Sequence, residues 1–239
     1  MQESSKQGKL IALEGLDGSG KSTQLNLLAY RLAKKGLETA SFDFPQHGER
    51  SATLVDNYLN GKYGKINEVT PYQASIFFAC DRYDASFLIR SCLNEGKIVI
   101  CDRYTGSNIS HQGGKIKDRE KRREFFKWVY NLEYDIFRIP KPDISLILKT
   151  SPETSLKLAD SGTIFDAKKL LRRKAYLGEK TKDIHEQDLS HLKNAFNSYN
   201  QLAEEFPQDF KVIECMKEGK LLSSDIIHEK IWSEVEKIL

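Results

Sequence analysis

Residues 14–23, EGLDGSGKST, place Gly15, Gly20, Lys21 and Ser22 in the spacing G-x-x-x-x-G-K-[ST], directly after the apolar run Leu10-Ile11-Ala12-Leu13 and directly before a helical pattern. Glycine reaches backbone angles that turn successive N–H groups inward, and a following helix adds its positive end, so such a bend is a cradle for anions. In that cradle Lys21 is placed to reach the β- and γ-phosphates of a nucleoside triphosphate, and the Ser22 hydroxyl to hold Mg²⁺. The bland alternative, a strand-to-helix turn that matches by coincidence, is disfavoured by the strand before and the helix after. Leu16, Asp17, Gly18 and Ser19 within the loop, and Thr23 behind it, complete the candidate ATP-binding set.

A second pair follows at the end of another apolar run, KIVICDRY, which delivers Asp102 and then Arg103. An acid at the carboxyl edge of a sheet suits the water shell of Mg²⁺, so Asp102 joins Ser22 as a candidate metal residue. Arg103 offers a rigid fork of donors to phosphate oxygens, as a site needs where a second phosphate faces the first. An ordinary surface ion pair is the competing reading of Asp-Arg, and it weakens once the phosphate loop is present. No N-K-x-D guanine reader occurs, and the paired acids usual in hydrolytic motors are replaced by this acid and base.

Elements that hold such groups in place are legible as short β-rich runs at 9–14, 38–44, 97–102, 143–149 and 210–215, alternating with helical patterns. In residues 22–36, Leu25, Leu28, Ala29 and Leu32 share one helix face and Gly36 marks a stop. Alternation of this kind predicts an α/β three-layer sandwich with a five-stranded parallel sheet. The 239 residues, against a soft prior of about 150 per domain, read as a single domain over 1–239 with a mobile basic lid at about 160–184. The first eight residues are expected to fray.

Composition narrows the classes. With 39% hydrophobic and 30% charged residues the chain is neither disordered nor membranous, and the polar start MQESSKQGK lacks a secretory signal's apolar stretch. Cys80, Cys92, Cys101 and Cys215 show no C-x-x-C spacing and predict reduced thiols in a cytoplasmic protein. A net charge of +3 does not call for nucleic acid, although 115–127 and 168–182 are locally basic.

The segments IALEGLDGSGKSTQ, FDFPQHGERSATLVDNYLNGKYG, IFFACDRYD, VICDRYTGSNISHQGG, IPKPDISLIL and KDIHEQDLSHLKNAFNSYNQLA together resemble the thymidylate kinases, nucleoside monophosphate kinases of the P-loop fold, over nearly the whole length. The P-loop is shared widely; D-R-Y followed by S-N and Q-G, with FFACDR before it, is much more specific. The resemblance implies phosphorylation of dTMP to dTDP with Mg-ATP, a step toward dTTP, in a homodimer. It also implies the acceptor residues: Phe78 stacks on thymine, Arg82 donates to O4, Asn108 reads the N3 edge, Asp17 lies near the sugar 3′-OH and Arg103 grips the acceptor phosphate. Arg50 is implied as a second phosphate contact.

Four-residue spacing supports the first pair, since it sets Phe78 and Arg82 on one helix face. The competing reading leaves Phe78 in the core with Phe77 and pairs Arg82 with Asp81 or Asp84. Members of the family carry a catalytic arginine in the P-loop or in the lid. Gly18 removes the first option, which leaves Arg172 and Arg173 as catalytic candidates, with Lys174, Lys180 and Lys182 beside them and Asp183 as a lid acid. His47, His111 and His185 stand where many relatives carry tyrosine. His111 falls at the guard of the sugar 2′ position, so looser sugar selectivity is expected, together with a proton gained near the unperturbed imidazole pKa of about 6.5. Outside this reading stand a deoxynucleoside kinase or another pyrimidine monophosphate kinase, and a nucleotide-dependent nucleic-acid binder.

Overall fold

A computed structural model describes residues 8–66, 68–160 and 189–239. Five runs become the strands β1 (Lys9–Glu14), β2 (Thr39–Asp43), β3 (Ile98–Asp102), β4 (Ile144–Lys149) and β5 (Phe210–Glu214), within a residue or so of the expected bounds. They form one parallel sheet in the order β2-β3-β1-β4-β5. Central strands of such a sheet are covered on both faces, which is why β1, β3 and β4 are almost continuously apolar.

Alternate side chains of β1 serve opposite layers. Ile11 and Leu13 pack with Leu28 and Leu32 of α1 (Lys21–Lys34) and with Ile227, Ile231 and Trp232 of α8 (Ser224–Val235). Leu10 and Ala12 face Ala85 and Ile89 of α3 (Pro71–Asn94). On that second face α4 (Thr105–Gly113), α5 (Arg119–Tyr130) and α7 (Leu189–Glu205) share a further core around Ile109, Phe125, Phe126, Leu192 and Tyr199. Helix α3 begins with a capping box, in which the Thr70 side chain accepts from the Gln73 backbone and the Gln73 side chain accepts in return, with Pro71 in the first turn. A short turn (Arg50–Ala52) and α2 (Thr53–Leu59) precede α3, and α6 (Pro152–Asp160) follows β4.

Three features were not anticipated by pattern. Asn131–Ile136 continues α5 as a π-helical turn, and Met216–Lys217 pairs with Lys220–Leu221 as a small hairpin, β6 and β7, around Glu218 and Gly219 at positive φ. The third is the depth at which Glu14 is buried. The expected lid, with Arg172, Arg173, Lys174, Lys180, Lys182, Asp183 and His185, lies outside the described residues, as do the first seven of the eight residues expected to fray; the eighth, Gly8, is instead buried, its N–H donating to the Leu93 carbonyl at 3.1 Å. Among the described residues no helix is long and apolar enough to cross a membrane.

The topology fixes where chemistry can occur. The chain leaves β1 toward β2 and leaves β3 toward β4, on the other side, so a crevice opens beyond the carboxyl ends of β1 and β3. Leu13 is in register with Asp102, and the Arg103 N–H donates to the Leu13 carbonyl at 2.8 Å. Glu14 ties this edge to α4: its fully buried carboxylate accepts from the Tyr104 N–H at 3.0 Å and from the Ser107 hydroxyl.

Burial is the largest influence on Glu14 and pushes its pKa up from 4.5 to about 7, against the Ser107 hydrogen bond and the charges of Arg103, Arg82 and Lys21. The native state therefore holds a proton that the unfolded chain releases above about 4.5, so this contribution to stability is complete below about 4.5 and is lost as pH rises through about 7. The loss across that window is on the order of 3 kcal/mol. Urea unfolding of the wild type and Glu14→Gln at pH 5 and pH 8 checks this: the wild type should weaken relative to the variant at the higher pH, and parallel behaviour would refute the account.

Candidate active site

The loop after β1 is built where side chains do not fit. Gly15 has φ 136°, and a Cβ there would lie 2.7 Å from the Leu148 carbonyl oxygen; Gly18 has φ 78°, and its Cβ would lie 2.1 Å from the Ser155 carbonyl oxygen of α6. Position 18 thus admits no side chain while α6 rests on the loop. Gly20, at φ 90°, caps α1, whose first residues are Lys21, Ser22 and the exposed Thr23. Lys21 is buried, its ammonium donating to the carbonyls of Leu16 at 2.8 Å and Gly15 at 3.2 Å. Ser19 is buried in the same loop.

Ser22 Oγ donates to Asp102 Oδ2 at 2.8 Å, so the two candidate metal residues stand together although 80 positions apart. A hydroxyl and a carboxylate are hard oxygen donors and fit Mg²⁺. Among the described residues no group of three His, Cys, Asp or Glu side chains is placed to hold a metal ion.

Arg103 joins the loop to the remainder of the crevice. Its Nη2 donates to Asp17 Oδ1 at 2.5 Å, and its Nη1 donates to the Gly15 carbonyl and Ser107 Oγ, each at 3.0 Å. The residue sits at φ 70°, a left-handed conformation that costs on the order of 1 kcal/mol for a side chain of this kind. Burial alone raises the Asp17 pKa, yet the charges of Arg103 and Lys21 outweigh it and hold the carboxyl well below its usual range. Burial likewise opposes the Arg103 charge, and Asp17 with its neighbours overcomes this and raises the guanidinium further.

The same guanidinium corrects the expectation for His111. An arginine only donates, so its 3.3 Å contact makes His111 Nε2 the acceptor and leaves the proton on Nδ1, which faces His191 Nε2 at 3.3 Å. Burial first, then the charges of Arg103 and His191, push the imidazole well below 6.5. A neutral ring between Arg103, His191 and Tyr199 replaces the ring that gains a proton between pH 8 and 6.

At the far end of the crevice α3 sets Phe78 and Arg82 one turn apart. Phe78 is half-buried, edge-on to Tyr58 with ring centroids 6.1 Å apart. Arg82 is buried and pairs with neither Asp81 nor Asp84: its Nε and Nη2 donate to Glu133 at 2.5 and 2.6 Å. Burial opposes the Arg82 charge, and Glu133 more than restores it. Asn108, on α4, donates through Nδ2 to the same Glu133. Asp81 instead holds the segment before α2, accepting from the Gln46 N–H at 2.9 Å and the Ser51 hydroxyl at 2.7 Å. Arg50 is exposed in that segment, apart from the buried cluster. Glu14 and Ser107, from the quoted motif segments but given no role by them, belong to the cluster with Glu133 and Tyr199.

The thymidylate kinase family model matches residues 13–226. A thymidylate kinase of Brachyspira hyodysenteriae is 30% identical over 223 residues, covering 91% of this chain and 98% of that protein. A probable thymidylate kinase of Pyrococcus horikoshii is 30% identical over 230 residues, covering 92% and 94% respectively. Among solved structures, a thymidylate kinase from Candida albicans superposes with a TM-score of 0.66 at 21% identity over 97% of this chain and 92% of that one, an agreement of fold. The matched span includes the phosphate loop, Asp102-Arg103 and the Phe78–Arg82 turn of α3, and by that extent of similarity the chain belongs to the thymidylate kinase family.

Proposed function

We propose that this chain, as one domain over 1–239, transfers the γ-phosphate of ATP to the phosphate of dTMP, giving dTDP and ADP. The observation that carries the reading is the Arg103 guanidinium, bonded at once to the triphosphate loop at Gly15 and Asp17 and to the acceptor side at Ser107. A dTMP phosphate oxygen attacks the γ-phosphorus as the bond to the β–γ bridging oxygen breaks, and ADP leaves with the negative charge. Little covalent chemistry falls to the protein, so alignment and charge carry the rate.

Lys21 turns from the loop carbonyls to the β- and γ-phosphates, and Arg103 aligns the acceptor phosphate. Asp17 orients Arg103 and receives the sugar 3′-OH, Phe78 stacks on the base, and Arg82 and Asn108 meet its O4 and N3. Ser22 and Asp102 would hold Mg²⁺, which when bound would supply hard positive charge to the phosphates. With glycine at position 18, the catalytic arginine expected of the family falls to the basic segment, at Arg172 or Arg173. A deoxynucleoside kinase is disfavoured by family membership. Four unbridged cysteines accord with a cytoplasmic location.

ADP release measured across dTMP, dUMP, dCMP, UMP and thymidine tests the assignment. Highest kcat/KM for dTMP supports it, and preference for thymidine overturns it. In Lys21→Ala turnover should fall on the order of a hundredfold or more, with dTMP affinity nearly unchanged. Wild-type turnover there would remove Lys21 from the mechanism. Of Arg172→Ala and Arg173→Ala, at least one should lower kcat on the order of a hundredfold while changing either KM less. If both turn over normally, Lys180 and Lys182 become the candidates.

A homodimer completes the proposal. Ile76, Tyr83 and Phe87 leave an exposed apolar stripe along α3, with Phe87 61% exposed. Phe87→Asp should shift the sedimentation mass from dimer to monomer, and a monomeric wild type would refute the dimer.

A further inference from the structure

Glu133 lies in the π-helical turn Asn131–Ile136, where the widened spiral aims its side chain inward from the end of α5, and it is fully buried. Four donors converge on its two oxygens. Oε2 accepts from Arg82 Nε at 2.5 Å and Thr105 Oγ1 at 3.0 Å; Oε1 accepts from Arg82 Nη2 at 2.6 Å and Asn108 Nδ2 at 2.9 Å. The carboxylate thus joins three elements, α3, α4 and the π-helical turn.

Those bonds decide the polarity of two other side chains. Both acceptors around the Asn108 amide, Glu133 Oε1 and the Ser75 carbonyl at 3.2 Å, can face only its NH₂ group. Asn108 Oδ1 is therefore turned the opposite way, buried and without a hydrogen-bond partner among the described residues. A buried acceptor left unpaired is expensive, so it points to a donor supplied by a ligand. Arg82 is likewise locked through Nε and Nη2, with Nη1 outside the pair.

Resting on the reading of dTMP as acceptor, we infer that Glu133 is the positioning residue for pyrimidine selectivity, setting Asn108 as an acceptor and Arg82 as a donor. Thymine presents N3–H and a carbonyl O4, which complement that pair. Cytosine presents a bare N3 and an amino group, which would meet acceptor against acceptor and donor against donor. A single carboxylate thus imposes both halves of the discrimination without touching the base.

The test is Glu133→Gln, similar in shape but with one acceptor fewer. Either orientation of the new amide withdraws a partner from Arg82, and one of them presents N–H to Asn108 and favours reversal of its amide. The ratio of kcat/KM for dTMP to that for dCMP should fall on the order of tenfold or more. KM for dTMP should rise while KM for ATP holds. The ratio is internal to one protein, so partial loss of folded enzyme cancels.

A wild type that prefers dTMP, with a ratio unchanged in the variant, overturns the role of Glu133 and leaves the kinase reading standing. A wild type that does not phosphorylate dTMP overturns both. Should the variant fail to fold, the wild type answers alone through the side-chain amide resonances of Asn108. Slow hydrogen exchange of that NH₂ group, both in the free protein and with dTMP bound, supports the lock, and fast exchange overturns it.

Discussion

A guanidinium withdrawn from water must be met on its nitrogens by fixed acceptors, and the crevice of this protein is organised by how Arg103 meets that requirement. Its partners come from the phosphate loop and from α4. Because the pair with Asp17 is partly screened from solvent, breaking it would leave a charge uncompensated, a penalty larger than the bond itself contributes. The left-handed backbone at Arg103 accompanies these contacts, its strain offset by the bonds the side chain makes to Gly15 and Asp17 of the loop.

Around this junction the other buried charges are arranged in complementary fashion. Lys21, Asp102 and Glu14 line the carboxyl edge of β1 and β3, while Arg82 and Glu133 form a second closed set deeper under α3. Such sets add little to net stability compared with apolar packing of similar volume. Their value here is geometric, because a satisfied carboxylate fixes the orientation of every donor around it. Neutral His111 belongs to the same economy, since a second positive charge beside Arg103 would be repelled.

The sheet was legible because parallel central strands require continuous apolar runs, and those runs stand out against charged helices. The phosphate loop was legible because glycine at positive φ leaves a compositional mark. Asp102 and Ser22 could be paired in advance because loop and strand end are both sequence landmarks. Glu133 had no such mark: nothing in the segment NLEYDI singles it out, and only the π-helical turn, invisible in periodicity, carries it inward. Arg82 illustrates the limit from the other side. Its spacing from Phe78 gave a common face, but the acidic neighbours Asp81 and Asp84 were the wrong partners, since the true one arrives from 51 positions downstream. Tyr199 was equally silent, because a hydroxyl becomes informative only through what surrounds it.

The approach of α6 to Gly18 has a mechanical corollary. Where two elements touch through side chains, a change of rotamer can absorb a displacement of one without moving the other. Here the main chain of α6 lies directly against the glycine, at the Ser155 carbonyl and the Ala159 nitrogen, and neither side has a rotamer to yield. Loop and helix therefore share one degree of freedom. Whatever tightens the loop around its anion draws the helix with it, and whatever repositions the helix alters the anion's fit by the same free energy.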